Sequence, residues 1–245
     1  MNLTLKETKY LKEPIFIISE LVNEATLKVD EDKIELIAMD PGNVSMVIFK
    51  LLSTAFVEYD VKKPVELTVN LDHLKQILKR VNADDIITLE LVNNKLKIEL
   101  KSKSTRTFHL SLINSENTIK KVPNLDFPLK VEMNTNLFDQ AIEDMDIISD
   151  SVSFIIDPKK FTIEANGTLT NAKVDLFHDD GIKIQTNDNY TSRYSLEYLK
   201  KMIKASKLSD DVVIQFSKDY PLKLSYKITD KMLMEFILAP RVSTD

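Results

Sequence analysis

The chain repeats itself once, and that repeat limits the possible folds more than any other feature of the sequence. The run Leu71-Asp72-His73-Leu74-Lys75-Gln76-Ile77-Leu78-Lys79 aligns with Leu196-Glu197-Tyr198-Leu199-Lys200-Lys201-Met202-Ile203-Lys204 at an offset of 125 residues. Downstream, residues 85–89 answer to 211–216 and residues 96–98 to 222–224, so each copy reads helix, strand, turn, strand. Upstream, residues 11–22 and 137–148 both carry apolar residues at helical spacing ahead of strand-like segments. In the second of these, Leu137, Phe138, Ala141, Ile142, Met145 and Ile148 make one stripe, with Thr135 or Asn136 at the N-cap position. In the first, Pro14 suits only an opening turn, which starts that helix near Glu13. A length of 245 residues fits two domains, predicted at 1–113 and 131–245. The connecting segment 114–130 carries Val122, Leu125 and Phe127, too apolar for a solvated tether, and is predicted to dock.

The remaining sequence alternates with period 2 at 34–36, 44–51, 65–69 and 108–112, the pattern of half-buried strands. Turns are predicted at Asp40-Pro41-Gly42-Asn43, Asn93-Asn94, Asp157-Pro158 and Asp180-Gly181. The fold class is therefore α+β with antiparallel sheets. Only three glycines are present, which rules out the common glycine-rich phosphate cradles, and the absence of cysteine removes disulfides and thiolate chemistry. No apolar run approaches the roughly 20 residues of a bilayer span. The first residues lack the apolar block of a secretory signal, so an intracellular location is expected, without membrane partners.

Catalytic patterns are missing. His73, His109 and His178 have no partner at metal-ligand spacing, and no nucleophile elbow or paired helix histidines occur. The pairs Asp84-Asp85, Asp179-Asp180 and Asp210-Asp211 sit at predicted turns, where capping or solvation is the plainer role for acids. The chain is expected not to be an enzyme and to need no metal or cofactor. The lysines say more. Each repeated helix buries leucines on one face and carries Lys75 and Lys79, or Lys200, Lys204 and Lys207, on another, with Lys201 alongside. A solvated face explains one such helix; its recurrence in a chain of net charge −5 points to weak, sequence-independent phosphate contact.

Five stretches carry a resemblance along nearly the whole chain: Asn23-Glu24-Ala25; Ala38-Met39-Asp40-Pro41-Gly42-Asn43-Val44-Ser45-Met46-Val47; Asp85-Ile86-Ile87-Thr88-Leu89; Tyr220-Pro221-Leu222 with Tyr226-Lys227-Ile228; and Leu238-Ala239-Pro240-Arg241. In order and spacing the chain resembles the sliding clamps of archaea and eukaryotes, the proliferating cell nuclear antigen family. The resemblance implies a DNA-clamp fold of two repeated domains, each with sheets outside and two helices on an inner face, joined by the connecting loop. It implies a ring of three subunits around duplex DNA that serves as a processivity factor in replication and repair. Polymerase, clamp loader, flap nuclease and ligase would dock through a short motif. By the same likeness Lys12, Lys75, Lys79, Arg80, Lys200, Lys201, Lys204 and Lys207 would face DNA. Met39, Val44, Met46, Leu125, Phe127, Pro221, Ile237, Ala239 and Pro240 would form the client pocket. Subunits would join strand to strand, Thr107, Phe108, His109, Leu110, Ser111 and Leu112 of one pairing with Ala172, Lys173, Val174, Asp175, Leu176 and Phe177 of the next. The location implied is with the chromosome, in an archaeal cytoplasm or a eukaryotic nucleus.

The likeness has a gap. The helix at 137–148 carries Asp139, Gln140, Glu143 and Asp144 where relatives usually place basic residues, and the first helix has Ser19 and Glu20. Both a homotrimer and a heterotrimer with more basic partner subunits are compatible with this. Two other readings stay open at this level: a checkpoint-type clamp loaded at damaged DNA, and a metal-dependent DNA-processing enzyme using aspartates near Asp40 and Asp179.

Overall fold

Apolar residues at every second position become strands throughout the first half: β1 (Asn2–Leu5), followed by helix α1 (Lys9–Ile18), then β2 (Glu24–Val29), β3 (Lys33–Met39), β4 (Ser45–Leu52), β5 (Glu58–Asp60) and β6 (Val65–Asn70). Helix α2 (Leu71–Leu78) leads into β7 (Ile86–Val92), β8 (Lys95–Lys101) and β9 (Thr105–Ser111). The structure, a computed structural model, describes residues 1–114, 121–179 and 181–241; residues 115–120 of the connecting segment, Asp180 and residues 242–245 lie outside them. These residues divide into two units, each discontinuous in sequence. Among the described residues, the first takes those within Met1–Pro41, Val47–Val122 and Ile228–Met234, and the second those within Gly42–Met46, Pro123–Lys227 and 235–241.

In the first unit one antiparallel sheet runs β5-β1-β7-β8-β9, and a second array runs β4-β3-β2-β6. Leu3 faces Leu89, and Ile98 faces Phe108, so one row of side chains enters the core. The turn between β7 and β8 uses Asn93 at φ 49° and Asn94 at φ 59°, both left-handed, which suits a two-residue hairpin. Helix α1 lies beside α2. It opens at Lys9, earlier than the proline rule predicts, so Pro14 sits inside the helix rather than in its first turn. Burial of Leu11, Pro14, Ile15, Ile17 and Ile18 offsets the one backbone bond that proline forfeits.

The second half repeats the order: β10 (Lys130–Asn134), α3 (Thr135–Asp146), β11 (Ser151–Asp157), β12 (Lys160–Asn166), β13 (Asn171–Phe177), β14 (Ile182–Gln185), β15 (Tyr190–Ser195), α4 (Leu196–Met202), β16 (Asp211–Gln215), β17 (Leu222–Ile228) and β18 (Met232–Leu238). The strands run β14-β10-β16-β17-β18 and β13-β12-β11-β15, which is the first unit's topology element for element. Helix α4 ends in a 3-10 turn at Ile203–Lys207. The N-cap of α3 is Asn134, whose side chain accepts from Asn136 N–H at 3.0 Å; Thr135 and Asn136, the expected caps, are already helical. Thr135 is occupied elsewhere, its hydroxyl donating to Asp210 O at 3.1 Å. The core of this unit is aromatic. Phe154 packs on Phe138, Phe161, Tyr194 and Phe216 with ring centroids 5.4–6.1 Å apart.

Candidate functional site

In the first unit two lysines are held beside an aromatic ring. Asn70 caps α2 by accepting from His73 N–H at 2.9 Å, and Leu71, Leu74 and Leu78 are buried, which turns Lys75 to the polar side. The Lys75 and Lys12 ammonium groups each sit 5.8 Å from the Phe16 ring, Lys12 also donates to Val81 O at 3.4 Å, and Lys75 is 3.9 Å from Glu20. Lys79 and Arg80 are exposed in the turn after α2, with no carboxylate partner among the described residues. That turn is pinned from below. Arg106 donates to Arg80 O at 2.7 Å and pairs with the buried Asp85, whose carboxylate accepts from Asn82 N–H at 2.7 Å. Burial opposes the charge on Asp85, but the Asn82 N–H and the Arg106 guanidinium outweigh it and hold its pKa below the ordinary value.

In the second unit two lysines are tied to acids. Lys200 Nζ lies 2.6 Å from Asp146, and Lys201 Nζ 3.1 Å from Glu197 one turn away. Lys204 and Lys207 follow in the 3-10 turn. On α3, Glu143 and Asp144 are exposed, whereas Asp139 is half-buried. Asp139 Oδ1 and the Tyr226 hydroxyl are both buried with no hydrogen-bond partner among the described residues. Asp139 is thus turned inward and does not belong to the outer acidic face the sequence predicts.

Eight of the nine proposed client residues fall in the second unit; Met39, at the end of β3, falls in the first. The tail is tied down at two points, Ala239 N–H donating to Val44 O at 2.9 Å and Arg241 N–H to Arg193 O at 2.7 Å. The Arg241 guanidinium, 2.7 Å from Asp150, holds that carboxyl below the usual range. Leu125 and Phe127 are half-buried, and the Phe127 ring meets Tyr220 edge-on at 5.7 Å, beside Pro221. Val44, Ala239, Pro221 and Pro240 are likewise half-buried, while Met46 and Ile237 are buried. Tyr220 belongs to a stretch that carries the family resemblance but not to the client residues expected from sequence. Its carbonyl accepts from the buried Tyr194 hydroxyl at 2.8 Å, which fixes the wall that Phe127 packs on.

Thr107, Phe108, His109, Leu110 and Ser111 belong to β9, the last strand of its sheet; Leu112 lies one residue beyond. Residues 172–177 belong to β13, also a last strand. Both strands alternate identically, with three positions facing inward and Leu110 or Leu176 the most buried.

The family model for the proliferating cell nuclear antigen N-terminal domain matches residues 1–130, and that for the C-terminal domain matches residues 121–241. The chain belongs to the proliferating cell nuclear antigen family. It is similar to a protein named DNA polymerase sliding clamp from Nanoarchaeum equitans, 34% identical with 98% of this chain and 99% of that one covered. It is likewise similar to one of that name from Pyrococcus furiosus, 36% identical over 91% of each. Among solved structures, a PCNA2–PCNA3 complex from Sulfolobus tokodaii matches at TM-score 0.91 and 28% identity, covering 98% of this chain and 99% of that one. PCNA from Thermococcus kodakaraensis matches at 0.90 and 26%, with the same coverage.

The enzyme alternative gains nothing from the geometry. Among the described residues no three His, Asp or Glu side chains gather as metal ligands. His73 and His109 are exposed, and His178 accepts from Ile184 N–H at 3.1 Å through Nδ1, a structural use.

Proposed function

We propose that this PCNA-family chain is one subunit of a ring-shaped sliding clamp that encircles duplex DNA and tethers a DNA polymerase as a processivity factor. The observation that carries this reading is the end-to-end match, at 34–36% identity, to proteins named DNA polymerase sliding clamp, in a chain whose two units repeat one topology. The helices would line the hole, with Lys12, Lys75, Lys79, Arg80, Lys200, Lys201, Lys204 and Lys207 offering loose contacts. Lysine point charges suit sliding better than bidentate arginine would. The β9 and β13 edges would close the ring strand to strand, covering unpaired backbone groups. The tail and the connecting segment would receive the short motif of polymerase, clamp loader, flap nuclease or ligase. Such a subunit works with the chromosome and does no chemistry of its own.

The test is primer extension on a singly primed closed circle, with a polymerase and clamp loader of the same source and any partner subunits. Product length is expected to rise about tenfold or more, and linearising the template should abolish the gain because a ring runs off an end. Equal stimulation on linear and circular templates, or none on either, would overturn the reading.

A further inference from the structure

We infer that phosphate contact is carried by the helix pair of the first unit, and that the exposed acids of α3 hold the second unit's pair back from the duplex. This rests on the reading that the helices face a duplex. In the first unit, α1, α2 and the turns after them carry Lys9, Lys12, Lys75, Lys79 and Arg80 against Glu13, Glu20 and Asp72, five cations to three acids. In the second, α3, α4 and the 3-10 turn carry Lys200, Lys201, Lys204 and Lys207 against Glu143, Asp144, Asp146 and Glu197, four cations to four acids, with Asp139 turned inward.

Ion pairing widens the difference. Lys200 and Lys201 each hold a carboxylate within about a hydrogen bond's reach, at 2.6 and 3.1 Å, so a phosphate would have to displace it. In the first unit, by contrast, the Lys75 ammonium stands 3.9 Å from Glu20. Lys12 and Lys75 are kept in place by the Phe16 ring, which positions a cation without cancelling it. Arg80 is anchored through its own carbonyl, and its guanidinium has no carboxylate partner among the described residues. Counterion release depends on cations that are not already neutralised, so the two pairs should differ in their share of the salt dependence.

The experiment is fluorescence anisotropy of a short labelled duplex, titrated with the full chain across salt concentrations. Lys79→Ala with Arg80→Ala is expected to reduce the slope of log affinity against log salt by about two per chain. Lys200→Ala with Lys201→Ala should reduce it by less than half as much. Glu143→Gln with Asp144→Asn should tighten binding about three- to fourfold at low salt, a gain that no folding defect would produce. Each variant's melting temperature reports that it has folded. Equal losses from the two cation pairs, or no gain from the acid pair, would overturn the inference. Encirclement is judged separately by the circular-template assay, which can succeed whichever helix pair holds the phosphates.

Discussion

Two aspartates show how differently the same side chain is used. Asp85 is 1% exposed yet charged, because the Arg106 guanidinium and the Asn82 N–H answer it. Its depressed pKa means that its contribution to stability is present above the unfolded carboxylate value and lost as pH falls through the folded one. Asp139 is the opposite case. Burial raises its pKa, the Ser206 hydroxyl opposes the rise and Glu143 adds to it, while Tyr226, itself shifted upward by burial, offers no bond. The native state therefore binds more protons than the unfolded chain between the ordinary and the raised values, and the contribution of Asp139 falls as pH climbs through that window. Asp139→Asn keeps the shape and removes the buried charge. Its melting temperature at pH 7 is expected to exceed the wild type's, with the difference closing as pH drops into the ordinary carboxylate range. A scan by circular dichroism at both pH values checks this, and a variant melting at or below the wild type at pH 7 would show that the charge is compensated.

At the scale of elements, the edge strands decide assembly. Phe177 on β13 is 51% exposed, a large apolar side chain at the end of an unpaired edge. Phe177→Asp is expected to weaken subunit association about 100-fold while leaving the melting temperature of the chain nearly unchanged, since the side chain packs little within its own unit. Sedimentation velocity, with partner subunits if the chain alone is monomeric, reads the result; unaltered assembly would move the interface elsewhere. The helices and most strands were legible because they follow local periods, and the repeated topology was legible because its helices share a sequence. The edge status of β9 and β13 came only with the family resemblance, because alternation fixes a strand's face while sheet order depends on distant partners. The strand at 44–51 misleads in the same way, since Ser45, Met46, Val47, Ile48 and Phe49 are all buried and no alternation remains there. Three adjacent polar residues at 134–136 left the α3 cap ambiguous, and Pro14 outweighed the apolar face that extends α1 toward its N-terminus. The bond from Arg106 to Asp85 spans 21 residues and has no local signature.

For the whole molecule, the proposed tasks fall on separate residues and should be separable by mutation. The client set other than Met39 belongs to the second unit, and none of it lies on β9, β13 or the cation-bearing helices. Leu125 and Phe127 come from the connecting segment, which the sequence marked as too apolar for a tether, and the Phe127 ring does rest on Tyr220. A short motif with aromatic anchors would gain most by covering such half-buried apolar side chains, where each fully buried group contributes about 1.5–3 kcal/mol. Leu125→Ala with Phe127→Ala is therefore expected to lower polymerase stimulation on circular templates at least about tenfold. Duplex affinity and solution mass should not change, because the charges on α1 and α2 and the backbone edges are untouched. Measuring all three on one preparation separates the possibilities. Loss of stimulation alone assigns the segment to client capture. A fall in solution mass would instead make it a structural brace, its apolar residues serving the packing of Tyr220 and Tyr194 rather than a partner.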